Sequence, residues 1–214
     1  MDVVLDHLGQ ILAGLGVTLV LAVTSFAGAL VFGAVLGVLR LLPFGVLQAT
    51  STAVITVVRN MPLLLVVVIA VFALPQLGVT LPLDVCVAVS LMVYFACYIA
   101  EILRSGVQTV GQGQVEAARA LGLSDARAAV TIVAPQAALA MVQPLGTMFI
   151  ATLLSTAIGS IVGVLELSGV TRLLNVQYAE PIAIFGTTAA IYIVLSLTIG
   201  GATGWLERKV RVTR

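Results

Sequence analysis

Side chains able to recognise a partner are scarce in this sequence, and the one substantial hydrophilic segment runs from Arg104 to Arg127. Gln112, Glu116 and Arg119 recur at helical spacing along one side of that stretch, with Val115, Ala118 and Leu121 along another, which predicts a short amphipathic helix. Gly122 follows as the glycine that ends it. Ser124 then predicts an N-cap, with Asp125 favourably placed at the positive end of a second helix running toward Pro135. A helix, a sharp bend and a helix with one charged face supply docking chemistry.

Bond-making chemistry has no comparable residues. The one histidine, His7, is terminal, and neither His-Glu-x-x-His nor Gly-x-Ser-x-Gly occurs. The only lysine is Lys209, so no Gly-x-x-x-x-Gly-Lys phosphate loop is possible. Cys86 and Cys97 fall inside one apolar stretch and read as small buried hydrophobes. No catalytic, cofactor-binding or metal-binding residue is expected, and no nucleic-acid partner.

The elements that position the polar stretch must be built for lipid. Hydrophobic residues fill 61% of 214 positions and charged ones 9%, a balance that would leave large apolar patches on any water-facing surface. A hydrocarbon core of about 30 Å takes roughly 20 apolar residues per helix, so the chain forms a single domain, 1–214, with no separate soluble part. The expected fold is all-α, a polytopic membrane helix bundle with spans at about residues 8–39, 60–74, 83–103, 135–157 and 182–206 and a polar loop at about 105–134. Arg40, Pro43 and Gly45 close the first span, and Glu207, Arg208, Lys209 and Arg211 form a stop-transfer pattern after the last.

Gly45 to Val58 is apolar but carries Gln48, Thr50, Ser51, Thr52 and Thr56, which suits a segment lying along the interface. As a sixth span it would put Arg40 and Arg59 on opposite faces. With five spans, every basic residue except Arg172 falls on one side: Arg40, Arg59, Arg104, Arg119, Arg127, Arg208, Lys209, Arg211 and Arg214. The positive-inside rule then sets the N-terminus outside and the C-terminus in the cytoplasm. Met1, Asp2, Asp6 and His7 lack a basic n-region, so a retained N-terminus is expected. Gly33 with Gly37, Gly159 with Gly163, and Gly200 with Gly204 place small residues one turn apart, where helix backbones can approach.

One string in the polar stretch is more specific than its composition. Glu116-Ala117-Ala118, then Gly122, then Ile132 and Pro135 resembles the EAA signature of membrane subunits of bacterial ABC importers, with Ala134 where that family usually has Leu. Arg59-Asn60-Met61-Pro62-Leu63-Leu64 is similar to an element of the polar amino-acid permeases, the glutamate, glutamine and histidine type. So are Ala100-Glu101-Ile102-Leu103-Arg104-Ser105-Gly106-Val107 and Gly163-Val164-Leu165-Glu166-Leu167. Two departures stand out: Leu153-Leu154-Ser155-Thr156-Ala157-Ile158 lacks the family's lysine, and Gly111 replaces a common proline.

The resemblance implies a translocation-pathway subunit in the bacterial inner membrane, without enzymatic activity of its own. ATP and Mg would be used by a partner ATPase. The implied partners are a second permease subunit, identical or homologous, two cytoplasmic ATPase subunits, an extracytoplasmic substrate-binding protein and membrane lipid. Glu116, Ala117, Ala118, Gly122, Ile132 and Pro135 would couple to the ATPase. Arg59, Asn60, Ser155 and Thr156 are candidates for the pathway or its gate, and Glu166 and Arg172 for contact with the binding protein. A self-sufficient secondary transporter or channel is the alternative, but the middles of the spans lack the ionisable groups such coupling uses.

Overall fold

The computed structural model describes residues 2–42 and 44–212. Pro43, expected to help close the first span, and Arg214, counted among the cytoplasmic charges, lie outside the described residues. The elements are all helical: α1 (Asp2–Asp6), α2 (Leu8–Leu41), α3 (Gly45–Asn60), α4 (Leu63–Val68), α5 (Leu83–Gln108), α6 (Gln112–Ala120), α7 (Asp125–Ala128), α8 (Ala134–Ser155), α9 (Leu167–Tyr178) and α10 (Pro181–Val212). Tighter 3-10 turns follow at Pro75–Leu77 and Thr156–Val162. Among the described residues, four helical runs are long and apolar enough to cross a membrane: Leu8–Leu41, Leu83–Gln108, Asp125–Val162 and Pro181–Lys209. A bent pair, Gly45–Asn60 with Leu63–Ala73, turns by 101° at its break and brings the candidates to five when counted as one broken span.

Glycine contacts give the direction of each run. Gly28, Gly33 and Gly37 of α2 face Met92, Ile99 and Leu103 of α5 in that order, so these helices are parallel. The chain leaves α2 at Arg40, beside Glu101, and re-enters α5 at Leu83, beside Gly163 and roughly 27 Å away along the helix. The segment from Leu63 to Leu77 makes that return, and its Ala70 carbonyl accepts from the Cys86 thiol at 3.6 Å. α8 climbs antiparallel to α5, with Gly106 against Ala137 and Met141 at one end and Gly159 against Val87 at the other. α10 descends along α8, Gly146 packing on Thr203. The two ends of the bundle are therefore a Glu101 end, where α2, α5 and α10 finish, and a Glu166 end.

Close approach explains some of the small residues. A Cβ on Gly33 would lie 2.7 Å from the Ala96 carbonyl oxygen, so this position has no room for a side chain. Gly200 and Gly204 are looser, with nothing nearer than 3.8 Å, and Gly163 serves a turn at φ +99. Leu21, Ala29, Val67, Val87, Leu91, Phe95 and Ile99 form the main apolar core between α2, α4 and α5. Elsewhere large apolar side chains point outward, as lipid-facing helices require.

Two prolines are accommodated by the same device. Proline has no N–H and its ring crowds the carbonyl four residues back. Ahead of Pro75 the helix widens to a π-turn at Ile69–Ala73, where the Leu74 N–H donates to the Ile69 carbonyl at 3.3 Å. Ahead of Pro135 a second π-turn, Ala129–Val133, lets the Ala134 N–H reach the Ala129 carbonyl. The sequence reading separates a short helix after Ser124 from a span starting near Pro135; the structure joins them into one run from Asp125, because the π-turn removes the clash that would end the helix.

Candidate functional site

The polar stretch folds as a helical hairpin at the Glu101 end. α6 ends where the Gly122 N–H donates to the Arg119 carbonyl (2.9 Å) and the Leu123 N–H to the Ala118 carbonyl (3.1 Å), with Gly122 at φ +81. Both bonds belong to the Schellman arrangement, which needs a left-handed residue at this position and so selects glycine. Ser124 caps α7 by accepting from the Arg127 N–H at 3.4 Å. Across the bend, Arg119 Nε donates to Asp125 Oδ1 at 2.7 Å, and this bond holds the guanidinium above its usual pKa. Gln136 Nε2 donates to Gln114 Oε1, tying the base of α8 to α6.

Ala118 is buried in the crook of this hairpin, while Glu116, Ala117, Gly122 and Pro135 are exposed and Ile132 is half-buried. Leu121, expected on the packed face beside Val115 and Ala118, is instead 83% exposed. The helix unwinds into the glycine turn at that residue, so its side chain leaves the apolar row. With Val130 it puts apolar surface on the outside of a charged loop.

Above the hairpin lies a junction of four charges. Glu101 Oε1 accepts from Arg40 Nη1 and lies 3.3 Å from Arg59 Nη1, and its Oε2 accepts from Arg104 Nε at 2.9 Å. The Arg59 guanidinium also stacks over the Tyr98 ring, 4.9 Å from its centroid. Arg59, Tyr98, Glu101, Arg104, Pro144 and Met148 line a cleft of about 390 Å³. Two guanidiniums, Arg59 and Arg104, against the one carboxylate of Glu101 leave the cleft lining cationic, a setting that suits a carboxylate-bearing solute. Asn60 sits beside it at the α3–α4 break, its Nδ2 donating to the Thr56 carbonyl at 2.7 Å.

At the opposite end a second junction surrounds Glu166, which is 0% exposed. Its Oε1 accepts from the Gly169 N–H at 2.8 Å; its Oε2 accepts from the Ser168 N–H at 2.9 Å, the Tyr192 hydroxyl at 3.0 Å and the Thr18 hydroxyl at 3.3 Å. Thr18 Oγ1 in turn accepts from the Leu167 N–H at 3.0 Å. Three of the four free N–H groups at the start of α9 are thus capped. Glu166, a candidate for contact with a binding protein, thus presents no surface of its own within this chain. Its carboxylate is buried because burial is tolerable when every oxygen is occupied by donors. Arg172, on the exposed side of the same helix, donates to the Ser160 carbonyl at 3.2 Å.

The other expected pathway residues differ. Ser155 is half-buried. Thr156 is fully buried with its hydroxyl on the Leu153 carbonyl at 2.8 Å, so it has no face toward a cavity. Sequence reasoning missed Tyr98, Thr18, Tyr192 and the central place of Glu101. For Glu101 the signal was present, an acidic residue in an apolar span with Arg104 three positions on. Among the described residues no group of three or more metal-ligating side chains gathers.

Residues 29–212 match the family model described as binding-protein-dependent transport system inner membrane component. The chain is 31% identical over 209 residues to the probable glutamine ABC transporter permease protein GlnM of Bacillus subtilis, covering 98% of this chain and 97% of that protein. It is 36% identical over 218 residues to the glutamate transport system permease protein GluC of Corynebacterium glutamicum, covering 96% of each. The crystal structure of an amino acid ABC transporter with histidines is similar at TM-score 0.92 and 28% identity, over 96% of both chains. An inward-facing structure of the MetNI methionine ABC transporter shares the fold at TM-score 0.79 and 22% identity, over 96% of this chain and 98% of that one.

Proposed function

This chain belongs to the family of binding-protein-dependent transport system inner membrane components, and from that premise we propose that it is the translocation-pathway subunit of an ATP-driven importer of polar amino acids, glutamate or glutamine in the first place. Permeases of this family are multi-pass inner-membrane proteins and leave ATP hydrolysis to a partner. The observation that carries the reading is the hairpin at Gly122, in which the EAA string forms a compact, exposed lever continuous with a long apolar helix.

In this reading the Glu101 end faces the cytoplasm, as the sorting of basic residues requires, and the N-terminus lies outside. Two copies, or this chain and a homologue, pair around the pathway, with two ATPase subunits bound to the hairpins. Glu116, Ala117, Gly122 and Leu121 meet the ATPase, Ala118 packs the lever from within, and Ile132 and Pro135 join it to the span. Because Asp125 to Ser155 is helical throughout, ATPase closure would move α8 as a rigid rod and change the bundle between inward- and outward-open states.

Arg59 at the cationic cleft then receives the carboxylate of a passing amino acid, with Asn60 next to it in the chain, the half-buried Ser155 farther along the route toward the Glu166 end, and Thr156 holding the α8 terminus. At the outer end the binding protein docks over α9, with Arg172 as a contact and Glu166 as the residue that sets the helix in place. ATP and Mg belong to the partner ATPase.

Reconstitution tests this directly. Proteoliposomes holding this chain, its ATPase and a binding protein should take up glutamate or glutamine only when ATP is present on the ATPase side. Equal uptake by the chain alone would overturn the assignment in favour of a secondary transporter.

A further inference from the structure

We propose that Glu166, with Thr18 and Tyr192, is a positioning clamp that fastens α9 to the first and last membrane helices so that the outer surface moves with them as one body. The inference rests on the reading of α9 as the binding-protein surface. Its geometry does not. Thr18 lies in α2, Tyr192 in α10, and the Glu166 carboxylate bonds to both while capping α9. Ser168 Oγ adds a contact of 3.2 Å to the Tyr192 hydroxyl.

The packing around the carboxylate leaves little room for hinge motion. A Cβ on Gly14 would lie 2.8 Å from Val170 Cγ2 and 3.2 Å from Leu167 Cα, so α2 and α9 touch backbone to backbone. A Cβ on Gly169 would lie 2.3 Å from the Val164 carbonyl oxygen. The far end of α9 is pinned as well: the Tyr178 hydroxyl lies 3.0 Å from His7 Nε2, and His7 Nδ1 lies 2.9 Å from the Val3 carbonyl. A carbonyl only accepts, so Nδ1 carries the hydrogen, and in the neutral imidazole Nε2 then accepts from Tyr178. A helix held at its start by α2 and α10 and at its end by His7, at the junction of α1 and α2, relays their motion instead of absorbing it.

A carboxylate suits this place better than a neutral group. Ser168 N–H, Gly169 N–H, Thr18 and Tyr192 are all able to donate, and an ionised carboxylate is acceptor-only with room for four such bonds. An amide would turn one of its two ends into a donor and set it against a donor.

The test uses the assembled importer in nanodiscs, with spin labels at Val176→Cys on α9 and Val23→Cys on α2. Both sites are exposed, and the native Cys86 and Cys97 are buried. The intact clamp should give one narrow label-to-label distance. The near-isosteric Thr18→Val and Tyr192→Phe should widen it, and about tenfold of the binding-protein stimulation of ATP hydrolysis should be lost while the unstimulated rate is kept. A purely structural defect would lower both rates together. A distance as narrow in both variants as in the native chain overturns the clamp. If the native importer shows no stimulation at all, the reading of α9 as a docking surface fails, and the label distance still decides whether the clamp exists.

Discussion

Arg40 and Arg59 reach the same atom, Oε1 of Glu101. The chain between them therefore starts and finishes at one level of the bundle, which α3 can satisfy only by running across it. A sixth crossing at Gly45 to Val58 is excluded on this ground. The hydroxyls of Thr50, Ser51 and Thr56 donate to carbonyls one turn back within α3, which lets a helix with several polar residues lie against lipid.

Replacing Glu101 by Gln leaves Arg40, Arg59 and Arg104 facing one another without a counter-charge. All three are partly exposed, so solvent screens part of the repulsion. Thermal unfolding in detergent should show a loss of about 2 kcal/mol, and Glu101→Asp should recover part of it.

Gly122→Val puts a β-branched side chain at φ +81, where the surroundings are open and the backbone alone objects. The strain is about 1–2 kcal/mol. Insertion and overall stability should survive in fluorescence-detected size exclusion, while ATP-driven uptake falls at least about tenfold because the hairpin no longer closes in register.

Pro135→Ala restores an N–H that can bond the Thr131 carbonyl and lets the π-turn relax to α-helix. Melting temperature should hold or rise, since interior proline costs a helix up to about 3 kcal/mol. Uptake should drop, because the relaxed helix rotates the hairpin relative to α8. A Gln114→Cys, Gln136→Cys pair that crosslinks in the native chain should lose efficiency in the variant.

Gly33→Ala forces α2 away from the Ala96 carbonyl and should cost about 1–3 kcal/mol. Gly16→Ala, on the same helix with nothing within 4 Å, should be neutral or slightly stabilising. The pair of melting curves separates close packing from helix propensity.

Local chemistry made much of this molecule legible. Gly122, Ser124 and the apolar runs act through neighbours a few positions away, and such signals survive in a linear sequence. Glu166 does not work that way: its partners Thr18 and Tyr192 are remote along the chain, so nothing near Glu166 distinguishes a buried cap from a solvated charge. The same holds for the charge junction, where Arg40, Arg59 and Glu101 come from three helices. Pro135 suggested a helix start because the π-turn that absorbs it leaves no mark in residue type. α9 was overlooked because its cap is a glutamate bonded through tertiary contacts rather than a serine or aspartate.

The docking of the hairpin on a separate ATPase is the claim from which the rest follows. A photo-crosslinking residue at Glu116, activated in intact membranes, tests it most directly. The account predicts one dominant adduct with the ATPase subunit, weakened in Gly122→Val and absent from a control at Val31 in the lipid-facing part of α2. Labelling of Glu116 from the outer face, or an adduct pattern without the ATPase, would contradict it.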